Sequence, residues 1–150
     1  MATDSLPAPL AAIRDDFLAL GVPDRLQLLL EFSNELPALP AEYADHPDLL
    51  ERVEECQSPV FIFVTVGADG DAPDMVRMHA TAPRESPTTR GFASILAEGL
   101  SGLSAAEVLG VPADYPLTLG LSEAVSPLRI RGMVGMLGRV QRQVRARVTA

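Results

Sequence analysis

From Pro9 to Leu20 the apolar residues Leu10, Ile13, Phe17 and Leu20 recur at intervals of three and four, which gathers them on one face of a helix. Gly21 and Pro23 supply a stop and a restart. Asp24 opens a second apolar-rich helix that runs to Leu36, where Pro37 and Pro40 break it. The amino-terminal third therefore reads as a helical hairpin behind a flexible stretch, residues 1–8. Residues 41–50, which contain His46 and Pro47, read as loop.

The period then drops from near four to two. Val60–Val66 is β-branched and aromatic, Gly67–Asp71 has turn composition, and Met75–Thr81 alternates apolar with polar residues. This predicts a β-hairpin with one buried and one half-exposed strand, and Arg52 and Val53 can add a short third strand. Helix returns over Thr88–Leu100. Ser104 and Glu107 have the spacing of a capping box for a short helix that Gly110 ends. The last segment places Ile130, Met133, Val134, Leu137, Val140 and Val144 on one stripe, with Arg131, Arg139, Arg142 and Arg145 mostly away from it. Gly132, Gly135 and Gly138 lower the propensity of that helix but permit a close backbone approach to a neighbour.

A chain of 150 residues with 47% hydrophobic content can bury one core, so residues 9–150 are expected to form a single α+β domain. Twenty acidic and twelve basic residues leave a net charge of −8, against nonspecific nucleic-acid binding. The charge is uneven, because the segment from Ser126 onward carries six arginines and no acid. No aromatic residue lies there to stack a base. Lysine is absent, which excludes a Schiff base to pyridoxal phosphate on this chain and the lysine of a phosphate-binding P-loop. A single cysteine and two histidines, His46 and His79, rule out an internal disulfide and a thiolate-rich metal site, and fit a reducing cytoplasm. No run approaches the roughly 20 apolar residues of a membrane span, and the first residues lack the basic and apolar regions of a signal peptide. A soluble cytoplasmic protein without its own cofactor or metal is expected.

The candidate chemistry centres on Cys56, between Glu55 and Gln57 and just ahead of the most apolar run. A free cysteine is commonly a buried, inert hydrophobe. This one falls in a polar loop, where reactive groups are often displayed, although the adjacent carboxylates disfavour its thiolate. His79 is the one candidate base for a thiol hydrolase or peroxidase, or else a structural histidine on its strand. Arg129, following Ser126 and Pro127 at a helix start, can turn its guanidinium back towards a neighbouring loop.

Three blocks in order, RVEECQSPVFIFV at 52–64, PTTRGFASIL at 87–96 and LSEAVSPLRIRGMVGML at 121–137, resemble the SufE family of sulfur acceptors, and the likeness runs from about Leu10 to Arg147. The resemblance implies a small antiparallel sheet with helices packed largely on one face, a fold shared with IscU-type scaffolds. It implies that Cys56 accepts a persulfide sulfur from a SufS-like, pyridoxal-phosphate cysteine desulfurase, stimulates that enzyme, and passes sulfur to a SufBCD-like iron–sulfur scaffold. A homodimer is compatible with it. Arg129 matches the family arginine near the acceptor cysteine, and His79 falls where several relatives have histidine. Glu85 is the nearest counterpart of an acidic residue that relatives place before the second block. Glu55 departs from the family, in which glycine commonly precedes the cysteine. The acceptor loop is expected to tuck its cysteine inward until a partner draws it out.

Overall fold

The computed structural model describes residues 6–149. Along them run α1 (Ala8–Leu18), α2 (Val22–Glu35), α3 (Ala41–Ala44), β1 (Glu51–Arg52), β2 (Phe61–Val66), β3 (Val76–Thr81), α4 (Pro87–Leu100), α5 (Ala105–Leu109) and α6 (Pro127–Thr149). The sheet is antiparallel in the order β1-β2-β3, giving the expected α+β architecture. Of the expected flexible stretch 1–8, residues 1–5 lie outside the described residues, while Pro7 is buried and leads into α1.

The hairpin register pairs Phe61 with Thr81 and Val66 with Val76. Ile62, Val64, Val76, Met78 and Ala80 point into the core, and Phe61, Phe63 and His79 alternate to the outer side, half-exposed. The expectation of one buried and one half-exposed strand is thus corrected, because β2 as well as β3 is covered fully on its inner face alone. Its two phenylalanines are only partly covered, Phe63 by the Tyr43 ring with centroids 4.6 Å apart and by the Arg147 guanidinium at 4.8 Å. Residues 41–50 are likewise not plain loop. Pro40 presets its φ near −55° and its carbonyl accepts from the N–H groups of Tyr43 and Ala44, which starts α3. A turn of 3₁₀ helix follows at Pro47–Leu49.

α1, α2, α4, α5 and α6 supply the rest of the core on the inner side of the sheet. The Ser104–Glu107 capping box forms in both directions at α5. On α4, Arg90 donates to the carbonyls of Ser33 and Ala82 at 2.9 and 2.6 Å, tying the ends of α2 and β3 to its first turn. α6 packs against β2, α4, α5 and the 3₁₀ turn at Tyr115–Leu119, so it buries a wider face than one stripe. Met136 is buried there, while Val134 of the expected stripe is only half-buried. No helix among the described residues is long and apolar enough to cross a membrane.

Candidate functional site

Cys56 lies in the connection between β1 and β2, and both ends of that connection are fixed. Val53 and Val60 are fully buried, and the Val53 N–H donates to the Val60 carbonyl at 2.9 Å. A tight turn follows, in which the Cys56 N–H donates to the Val53 carbonyl at 3.1 Å. The turn folds the thiol inward. Cys56 is 7% exposed, and its Sγ lies 3.7 Å from the Gly132 carbonyl on α6, the acceptor for the S–H. Burial pushes the thiol up to about 11, the Glu55 carboxylate adds to the rise, and Arg139 opposes it. The local sequence attributes the quiet thiol to its neighbouring carboxylates and suggests a displayed loop, whereas the family resemblance implies a tucked one. In the fold the thiol is tucked away, and desolvation contributes more than charge.

Glu55 is held by the opposite helix. Arg139 Nε donates to Glu55 Oε1 at 2.7 Å while its other nitrogen donates to Glu51 Oε2 at 2.7 Å. Arg142 also contacts Glu51. Gln143 Nε2 donates to Glu51 Oε1 at 2.8 Å, and its Oε1 accepts the Val64 N–H at 3.0 Å, a β2 donor beyond the end of short β1. The Arg139 hydrogen bond holds the Glu55 carboxyl below the usual carboxylate range. For Glu51, burial pushes upward, but hydrogen bonds from Gln143 and Arg139 with the charge of Arg142 carry it below that range as well. Two glycines make this approach possible. A Cβ on Gly132 would stand 3.1 Å from the Cys56 Sγ, and one on Gly135 would stand 2.5 Å from the Glu55 Cγ.

The other sequence candidates separate into two groups. Arg129, in the first turn of α6, lines with Gln57, Cys56, Ser58 and Gly132 a small cleft of about 50 Å³ at the thiol. Its guanidinium is exposed and makes no ion pair among the described residues. Glu85 is exposed and lines the adjoining groove with Ser86, Val125 and Arg129, and Ser86 hydrogen-bonds Ser58 of the cysteine loop at 2.6 Å. Cys56, Glu55, Gln57, Arg129 and Glu85 therefore share one edge of the molecule. His79 does not join them. It sits on the outer side of β3, with its ring 5.0 Å from Tyr43, and lines a separate cleft with Glu35, Arg77 and Glu98. Burial lowers its pKa from the usual histidine value, and the Arg77 charge lowers it further. A Cys56–His79 pair is not formed. His46 is exposed beside the Pro47–Leu49 turn, and no group of three or more metal-ligating side chains occurs among the described residues. Arg139, Glu51, Arg142 and Gln143 were not singled out by sequence as site residues. Their trace was the i,i+4 acids at 51 and 55 and the i,i+3 arginines at 139 and 142, a pattern that ordinary solvated faces share.

Comparison with known proteins places this geometry in context. The model of the SufE family, described as an Fe-S metabolism associated domain, matches residues 11–144. A SufE-like protein of Mycobacterium tuberculosis is 53% identical over 141 residues, covering 94% of each chain. SufE-like protein 1 of Arabidopsis thaliana, chloroplastic/mitochondrial, is 29% identical over 141 residues, which span 93% of this chain and 36% of that protein. The solution structure of a hypothetical protein from Thermus thermophilus superposes with a TM-score of 0.82 at 37% identity, over 97% of this chain and 99% of that one.

Proposed function

Because the chain belongs to the SufE family, a domain associated with Fe–S metabolism, we propose that it is a sulfur acceptor for a cysteine desulfurase, with Cys56 as the persulfide site. The observation that carries this reading is the placement of the lone thiol. It sits on a short turn with pinned ends, tucked against α6 and beside an exposed Arg129 that makes no ion pair among the described residues.

In the proposed transfer the Cys56 thiol loses its proton to solvent or to a partner base as the loop is drawn into the desulfurase. The thiolate attacks the outer sulfur of the partner's cysteine persulfide. A new S–S bond forms at Cys56, the partner's S–S bond breaks, and the electron pair departs with the partner's cysteine thiolate. No net oxidation occurs. Arg129 is positioned to stabilise the anionic sulfurs as they exchange. With its thiol raised to about 11, free Cys56 is a weak nucleophile near neutral pH, so docking must supply the activation. The pyridoxal phosphate belongs to the partner, in keeping with the absence of lysine here. An iron–sulfur scaffold is the proposed recipient, in the cytoplasm.

The reading is tested by alanine release from a cysteine desulfurase given L-cysteine. Adding this chain should raise the turnover and adding Cys56→Ser should not. Equal stimulation by both would leave a partner-binding domain that carries no sulfur. The rival thiol-hydrolase or peroxidase reading lacks support, since His79 lines a different cleft.

A further inference from the structure

The cysteine loop is gripped by Arg139, a residue that lies outside all three blocks through which the sequence resembles its family. Glu55, immediately before the thiol, lies across α6 with its side chain over Gly135, where any Cβ would collide with it. There it receives the Arg139 Nε at 2.7 Å, and the same guanidinium is anchored from behind by Glu51 at 2.7 Å. The next residue, Cys56, is seated over Gly132. Loop and helix thus interlock through two consecutive side chains, one ionic and one apolar, over two glycines three residues apart. The ionic half is reachable from solvent, because Arg139 and Arg142 line an open cleft with Glu55, Gly135 and Gly138. The Glu55 side chain is 40% exposed and that of Arg139 22%.

We propose that Arg139 is a positioning residue for sulfur acceptance, a latch that holds Glu55 and thereby keeps Cys56 seated on α6 until a partner breaks the pair. The inference rests on Cys56 as the acceptor, but the latch acts on thiol accessibility and is measured without any desulfurase. Loss of the pair frees the loop at Glu55, and the thiol then spends more time in water. A half-exposed ion pair of this kind is worth roughly 1 kcal/mol, which corresponds to about a fivefold change in the open population. The pair also weakens as salt screens it. Opposing electrostatic effects must be kept apart. Removing Arg139 withdraws a cation that favours the thiolate, whereas Glu55→Gln withdraws an anion that opposes it. Gly135→Ala leaves both charges in place and evicts the Glu55 side chain sterically, while replacing a helix-interior glycine by a better helix former. It is the decisive variant.

The test is the rate of Cys56 alkylation by iodoacetamide, a neutral probe, across pH 7–10 in the parent chain, Gly135→Ala and Glu55→Gln, with thermal unfolding followed in parallel. Both variants should react about fivefold faster than the parent below pH 9. The parent itself should react faster in about 1 M NaCl than at low salt, and Glu55→Gln should show no such gain. Unchanged alkylation in Gly135→Ala at a native melting temperature, or a parent rate indifferent to salt, would overturn the latch. Neither result would bear on whether Cys56 accepts sulfur.

Discussion

β2 is flanked by two regions that each carry a group suited to thiol chemistry. On the β1 side, Cys56 sits in a short turn between buried valines, and its surroundings are a helix backbone, an ion pair and an exposed arginine. On the β3 side, His79 occupies a hydrogen-bonded ladder position opposite Phe63 and packs against Tyr43. A turn anchored in the sheet at its ends, with its middle held by side-chain contacts to α6, can release those middle residues without breaking the sheet. A side chain in the centre of a strand cannot leave without taking register with it. The turn that carries Cys56 can therefore move apart from the sheet, whereas His79 contributes to the cover of the sheet's outer side.

The widest separation between the two regions is expected in sulfur acceptance. Cys56→Ser should abolish it, while His79→Ala should keep it within about twofold of the parent, measured as desulfurase-dependent persulfide on the protein. A large loss in His79→Ala with an unchanged melting temperature would erase the contrast. Next in size is Arg129→Ala, which should lower the rate of transfer about tenfold without changing thermal stability, because the guanidinium is exposed and makes no ion pair among the described residues. Stability should fall with the transfer rate if Arg129 is instead a structural residue.

The two regions should also differ in how stability responds to pH. A thiol raised to about 11 in the folded state and near 9 when unfolded contributes stability below pH 9 that is lost as pH rises towards 11. Cys56→Ser should flatten that alkaline decline in denaturant titrations. His79 behaves in the opposite sense. Its folded pKa lies below the usual value near 6.5, so the unfolded chain takes up the proton first and stability falls as pH drops through that value. The effect is smaller because the ring is only half-buried, and His79→Phe should remove it.

What the sequence made legible was local. The hairpin follows from its period of two, the capping box from Ser104 and Glu107, and the terminal helix from its apolar stripe. Cys56 and Arg129 stood out because one is the only thiol and the other opens a helix. The rest depended on distant partners. Nothing near Arg139 says that it will face residues 84 and 88 positions earlier, nor does the sequence around Gln143 announce that it caps a β2 donor left over by a two-residue strand. The glycines of α6 suggested a close approach, and the fold used two of the three. Gly138 faces open space. α3 was missed because its four residues show no periodicity, and Pro40 provides the start that the segment's composition hides.

The central claim is that Cys56 carries sulfur, and intact mass tests it most directly. The chain is incubated with a cysteine desulfurase and L-cysteine, with and without reductant, alongside Cys56→Ser. The expected result is a gain of one sulfur atom that reductant removes and the variant never shows. No gain with an active desulfurase, or a gain that persists in Cys56→Ser, would contradict the account.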